Sequence, residues 1–235
     1  MAHDGGMPQT SPAATVVFDL DGTLVDTAPD LIGTLNALFA REGLPALPYA
    51  QARNLIGGGA RRLIERGLSQ DGVSLRISEL DRLFADFVAH YAARIAELSR
   101  PFPGLETALD RLAAAGCIFA ICTNKLEWLS VKLIEELGLS RRFAAICGQD
   151  TFAVQKPDPE ILRRTVARVG GTLERAVMIG DSANDIDTAR AAGVPVVAVD
   201  FGYTEVPVRT LNPDRVISHF DELPDVVAEL LGHRG

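Results

Sequence analysis

Lysine is scarce in this 235-residue sequence: Lys125, Lys132 and Lys156 stand against twenty arginines. Acidic residues outnumber basic ones, 31 to 23, for a formal net charge of -8. That balance argues against non-specific nucleic-acid binding, which relies on clustered Lys and Arg neutralising phosphates. Cysteine is limited to Cys117, Cys122 and Cys147, an odd number without a Cys-x-x-Cys pair, so a disulfide framework is excluded and buried, reduced thiols are expected. The four histidines, at 3, 90, 219 and 233, are too scattered for a zinc site, which leaves them surface or packing roles. No apolar run approaches the roughly 20 residues that span a bilayer, so no membrane partner is expected. Residues 1–14 have neither a basic start nor an apolar stretch and do not read as a secretion signal. The expectation is a cytoplasmic protein with a frayed N-terminus, with Met1 and Met7 both open as the natural start. Its composition is compatible with a monomer or a homodimer.

Hydrophobic content of 47% with 23% charged residues is that of a globular protein with a full core. From Gly104 onward, short apolar runs alternate with segments of helical period. The runs are Cys117 to Cys122, Phe143 to Cys147, Ala176 to Ile179 and Val194 to Val199, and Thr15 to Leu20 adds another. Between them, Leu129, Leu133, Ile134 and Leu137 mark a helix stopped by Gly138, and Ile161, Leu162, Val166 and Val169 one stopped by Gly170. Runs apolar throughout suit parallel strands covered on both faces, which predicts a doubly wound, Rossmann-like α/β core. Ligands bind such sheets beyond the carboxyl ends of the strands.

The rhythm breaks between the first strand and Gly104. There Leu31, Leu35, Leu38 and Phe39 form one apolar stripe, and Leu80, Leu83, Phe84, Phe87, Tyr91, Ile95 and Leu98 a longer one, with no convincing strand between them. Thr27 and Asp30 have the spacing of an N-terminal cap for the first helix. Ser99-Arg-Pro-Phe-Pro-Gly104 reads as a proline-stiffened linker. The expectation is an α/β core over 1–26 and 101–235 with an all-helical cap inserted over 27–100.

Asp19-Leu-Asp21-Gly-Thr puts two carboxylates where an apolar strand runs into a glycine turn. A carboxylate on a rigid strand end is a suitable nucleophile toward phosphorus, because attack gives an acyl phosphate and divides hydrolysis into two steps. The second carboxylate can protonate the leaving oxygen and then activate water. Gly180-Asp181-Ser-Ala-Asn-Asp185 repeats the form at another strand end, although helix capping explains these residues equally well in isolation. If both loops share one sheet edge, each pair of carboxylates about 4 Å apart costs about 4 kcal/mol at an effective dielectric near 20. A hard dication removes that penalty, and oxygen ligands without His or Cys favour Mg2+. Thr123-Asn124-Lys125 at a strand end and Lys156-Pro157 before a helix add donors and a cation for a phosphoryl group.

These four segments, in this order, resemble those of the haloacid dehalogenase superfamily of phosphatases over Thr15 to about Val199. The resemblance implies Asp19 as nucleophile and metal ligand, Asp21 as acid/base and a ligand through its carbonyl, Asp181 as the third protein ligand and Asp185 as a supporting residue. It implies Thr123, Asn124 and Lys156 for phosphate, and a mobile cap that excludes water. Within the superfamily the chain is similar to phosphoglycolate phosphatases, through its Val25-Asp-Thr27 continuation, Ile56-Gly-Gly-Gly-Ala60 and the long Gly180 motif. Glycines 57, 58 and 59 would let a cap loop approach a small phosphorylated substrate, and Arg61 or Arg62 would bind its carboxylate. Phe201-Gly-Tyr203 would shape the loop beside the metal.

Rival readings are a dehalogenase, argued against by Asp21, and a phosphonate hydrolase, argued against by the absence of lysine from 27–100. A phosphosugar mutase and a phosphatase of another small ester share the motifs and stay open, whereas a non-catalytic phosphate-binding protein, the least favoured alternative, predicts loss of a key carboxylate or of Lys156, and none is lost.

Overall fold

The computed structural model describes residues 13–70, 72, 73, 75–204 and 206–232. The expectations for residues 1–12, including the alternative start at Met7, and those for His3 and His233 lie outside the described residues.

Six strands form one parallel sheet: β1 (Thr15–Phe18), β4 (Ile118–Cys122), β5 (Ala145–Cys147), β6 (Ala176–Gly180), β7 (Val196–Val199) and β8 (Arg215–Ile217), in the order β5, β4, β1, β6, β7, β8. The chain leaves β1 for one side of the sheet and later returns to the other. The topological switch, where α/β sheets bind ligands, therefore lies at the end of β1. Alternate residues serve opposite faces, as the period of two requires. Val16, Phe18, Ile121 and Ile179 join one buried cluster, while Val17, Ala120, Cys122 and Met178 join the other. Strand β8 was not expected, since Arg215-Val-Ile217 is short and begins with a charged residue.

Helices cover both faces: α5 (Leu105–Ala114), α6 (Glu127–Glu136), α7 (Pro159–Arg168), α8 (Ala183–Ala192) and α9 (Leu223–Gly232). The helices predicted before Gly138 and Gly170 are α6 and α7. Cys122 and Cys147 are buried free thiols, whereas Cys117 is only half-buried at the start of β4.

Between β1 and α5 lie α1 (Ala28–Arg41), α2 (Tyr49–Arg53), α3 (Ala60–Gln70) and α4 (Ile77–Ala93), flanked by β2 (Val25–Asp26) and β3 (Arg100–Pro101). The expected proline linker is thus a strand, antiparallel to β2, which ties the exit of the helical segment to its entrance. The expected cap at Thr27 does not form. Its hydroxyl donates instead to Asp21 (2.7 Å), and the Asp30 carboxylate accepts from Leu98 N, Ser99 N (2.8 Å) and Ser99 Oγ (2.6 Å). The same pull ends the long apolar stripe early: α4 stops at Ala93, Ile95 packs from the following turn, and Leu98 is left exposed. No helix of the described residues is long and apolar enough to cross a membrane.

Asp30 is buried, and its removal leaves three donors without partners at about 1–3 kcal/mol for each group that water cannot reach. Asp30→Ala is expected to lower Tm by about 6–12 °C, which corresponds to about 3 kcal/mol in a chain of this size. An unchanged Tm in a thermal melt would mean that the Leu98–Ser99 segment is held by other contacts.

Candidate active site

Three neighbouring strands end in the loops that the motifs identify. Asp19 follows β1, and its N–H continues the ladder to Ile179 O (2.9 Å). Thr123 follows β4, with its N–H on Cys147 O (3.0 Å). Asp181 follows β6 and precedes Ser182, the N-cap of α8. These backbone bonds fix Asp19 and Thr123 on rigid strand ends. After Asp21 the chain must turn in a confined space, and Gly22 does so at φ +86°, where a Cβ would overlap the Asp181 carboxylate and the Tyr203 ring.

Asp19, Asp181 and Asp185 are all buried, and one carboxylate oxygen from each lies within 4.8 Å of the others. Lys156 Nζ sits between two of them, 2.5 Å from Asp185 Oδ1 and 2.8 Å from Asp19 Oδ1. The second contact lies off the line of a hydrogen bond, so Asp19 Oδ1 has no directed donor among the described residues. Asp185 also closes a capping box: its Oδ2 accepts from Asp181 N (3.2 Å), Ser182 N (3.1 Å) and Ser182 Oγ (2.6 Å). Capping and site-building therefore use the same side chain. Asp181 is held by Tyr203 N (2.6 Å) and Thr23 Oγ1 (3.3 Å), and Gly202 lies so close that a Cβ there would overlap it.

Burial pushes the Asp19 carboxyl up to about 6, opposed by Lys156 and reinforced by Asp185 and Asp21. Burial also raises Asp181 well above the ordinary carboxylate range, with Asp185 and Asp19 adding repulsion. Desolvation works against the charge on Lys156, but Asp185 and Asp19 outweigh it and keep the ammonium protonated.

Asp21 belongs to the same cavity but to a second ion pair. Its carboxylate receives Lys125 Nζ at 2.8 and 3.0 Å together with the Thr27 hydroxyl. The Asn124 amide spans the next loop, donating to Lys156 O (3.1 Å) and accepting from Lys156 N (2.9 Å). Asn124 thus clamps the backbone that carries Lys156. Of the lysines, only Lys132 lies outside this region, in a surface pair with Glu136.

A cavity lined by Asp19, Asp21, Thr123 and Lys125 is bordered on the other side by Ile56, Gly57, Leu63, Phe87 and Tyr91, among others. Gly59, at φ +84°, brings the insertion's backbone against the core: a Cβ there would lie 2.8 Å from Asn124 O. Gly58 instead faces the Arg62 side chain. Arg61 is exposed, pairs with Asp81 and lies over the Phe84 ring, so it points away from the cavity. Arg61 is close to the glycines in sequence, but α3 turns its side chain outward.

Sequence reasoning did not single out Tyr91, Gln149 or Thr27 for the site, and it left Lys125 without a role. Tyr91 read as one member of an apolar stripe. Only the scarcity of lysine hinted at Lys125.

Lys156→Met leaves Asp19 and Asp185 without their shared cation. The metal-free variant is expected to lose about 3–5 kcal/mol of stability, the usual cost of breaking a buried ion pair. Equal unfolding midpoints in a denaturant titration would show that the ammonium contributes nothing to the fold.

A family model for haloacid dehalogenase-like hydrolases matches residues 16–199. A phosphoglycolate phosphatase of Mesorhizobium japonicum is 54% identical over 216 residues, covering 92% of this chain and 95% of the relative. One from Caulobacter vibrioides is 50% identical, with 93% and 92% coverage. The crystal structure of a predicted phosphoglycolate phosphatase from Haemophilus somnus superposes with a TM-score of 0.84 at 27% identity, covering 92% of this chain and 98% of the other. With the motif loops gathered at the sheet's carboxyl edge and the match running through all of them, the chain belongs to the haloacid dehalogenase-like hydrolases.

Proposed function

We propose that this hydrolase is a magnesium-dependent phosphatase of 2-phosphoglycolate that works through a phosphoryl group transiently bonded to Asp19. The observation that carries the reading is the Asp19 carboxylate, which lines the cavity at the end of β1 and is grouped there with Asp181, Asp185 and the Lys156 ammonium. A carboxylate held on a rigid strand end is a suitable nucleophile toward phosphorus. In the first step it attacks phosphorus, the bond from phosphorus to the ester oxygen breaks, and Asp21 gives a proton to the departing glycolate oxygen. In the second step Asp21 takes a proton from water, the water oxygen attacks the acyl phosphate, and inorganic phosphate leaves with Asp19 restored. Thr123, in the cavity lining, and the ammonium of Lys156, beside Asp19, would take the phosphoryl oxygens, while the Asn124 amide keeps Lys156 in register.

The three buried carboxylates fit a hard cation, and Asp19 with Asp181 would hold magnesium together with the Asp21 carbonyl. Asp185 would support the site through Lys156 and the Asp181 and Ser182 amides. Magnesium supplies charge neutralisation for the phosphoryl group and the carboxylates around it. Residues 27–100 are read as a cap over a core of 1–26 and 101–235, with Gly59 close above the cavity and Gly58 shaping that loop. The names of the relatives support phosphoglycolate as the substrate.

Phosphate release from 2-phosphoglycolate, hexose phosphates and other small esters, with magnesium and then with a chelator, tests the reading. Chelator-sensitive release led by phosphoglycolate is expected, and release led by another ester would overturn the substrate. Asp19→Asn is expected to remain folded by circular dichroism and to lose at least about 10⁴-fold in kcat, as loss of a nucleophile does. A rate near wild type would refute the covalent step.

Because Asp19 titrates at about 6 in the metal-free protein, it carries a proton below that pH, and magnesium must displace it. Asp181, also raised by burial, must give up its proton as well, so magnesium affinity by calorimetry is expected to fall at least about tenfold per unit below pH 6, since ligands must be deprotonated to bind. A flat profile would mean that neither carboxylate releases a proton to the metal.

A further inference from the structure

We propose that Lys125 and Tyr91 together form a subsite for the carboxylate of the leaving group. The proposal rests on the reading of the chain as a hydrolase of small phosphate esters, and it assigns the recognition that Arg61 does not perform.

The cavity wall contributed by the insertion is mostly hydrocarbon: Leu31, Ile56, Leu63 and Phe87. An anionic leaving group needs a cation and donors in that space, and Arg61 and Arg62 are both exposed. Lys125 is the only cationic side chain lining the cavity among the described residues, and it is buried. Its ammonium reaches Asp21 with two contacts and lies 4.6 Å from the centre of the Tyr91 ring. An ammonium has three protons, so a further acceptor can share it with Asp21.

Tyr91 supplies a second observation. It is buried in the same cavity wall, its hydroxyl lies close enough to the Lys125 ammonium to favour that charge, and it makes no directed hydrogen bond among the described residues. A buried hydroxyl without a partner is unfavourable, and native proteins retain few of them unless a ligand or water satisfies the group. Burial pushes the phenol up to about 12, so at neutral pH it keeps its proton and donates. An acceptor beside both groups, in a site that also faces Asp19, matches a carboxylate on the carbon next to the ester oxygen. One member of the pair comes from α4 and the other from the loop after β4, so the subsite is complete only with the insertion seated on the core. Its occupation therefore favours the closed arrangement in which Gly59 abuts Asn124.

The test uses Tyr91→Phe, which keeps the ring and removes only the hydroxyl, and Lys125→Met, which keeps most of the side-chain bulk. Glycolate is titrated calorimetrically into the magnesium-loaded enzyme, and kcat/KM is measured for 2-phosphoglycolate and for ethyl phosphate, which lacks the carboxylate. Glycolate binding is expected to weaken at least tenfold in each variant. The preference for phosphoglycolate over ethyl phosphate is expected to shrink by about tenfold in Tyr91→Phe, with no fall in Tm. Undiminished glycolate binding and an unchanged preference in Tyr91→Phe would overturn the subsite, and so would equal losses on both esters. If wild type does not hydrolyse phosphoglycolate, the substrate reading fails separately. Glycolate binding that is lost in Tyr91→Phe would then still support the subsite, and its absence in wild type would overturn it.

Discussion

Lys156 sets the charge balance on which the rest of the site depends. Three carboxylates lie together away from water, and a single ammonium reaches two of them, at 2.5 and 2.8 Å. Desolvation alone would neutralise such a group, yet the combined field of Asp19 and Asp185 keeps it charged. One positive charge against three carboxylates leaves an excess of negative charge, which adds to burial in making Asp19 and Asp181 hold protons tightly when no cation is present. The backbone of Lys156 is in turn gripped by Asn124 from the next strand end. The ends of β4 and β6 are thereby tied to the segment before α7, and the field at Asp19 has a fixed source.

A second set of contacts joins this charged centre to the helical insertion. Tyr203 donates its backbone N–H to Asp181, while its phenol accepts from Ala28 N and donates to Asp26 at the entrance of the insertion. Arg53 reaches across to Phe201 O (2.8 Å) and lies over the Tyr203 ring, and Asn184 holds Gly57 O (3.1 Å). The loop that positions a carboxylate of the site is thus the loop on which the insertion rests. Movement of the insertion about Asp26–Ala28 would have to exchange these polar contacts for water, a change that costs little per bond and is reversible. Such an arrangement suits a cover that admits substrate and then excludes solvent.

The core was legible in the sequence because its strands are continuous apolar runs, and the sheet buries them on both faces. The runs at Thr15, Cys117, Phe143, Ala176 and Val194 correspond to strands within a few residues at each end, as does the glycine that follows α6 or α7. The charged loops were legible for a related reason: a carboxylate directly after a buried strand has few places to point. The short ribbon of β2 and β3, the early end of α4 and the strand β8 were not legible. Each depends on a partner distant in the chain, such as Asp30 for Leu98 and Ser99, and no local periodicity encodes it.

The sequence by itself determined which chemistry is present: carboxylates at 19, 21, 181 and 185 and hydroxyl and amide at 123 and 124, in loops that follow apolar segments, and a lysine at 156 before a helix. Spacing along the chain carries this because local backbone geometry sets where a strand stops and a turn begins. Only the tertiary structure decided which groups share a charge and which share a cavity. Lys125 meets Asp21 and Tyr91 across separations of 104 and 34 residues, and Arg61, beside the glycines in sequence, points to solvent. Ion pairing and cavity lining are set by distances of a few ångströms between elements, and those distances exist only once the helices have packed on the sheet.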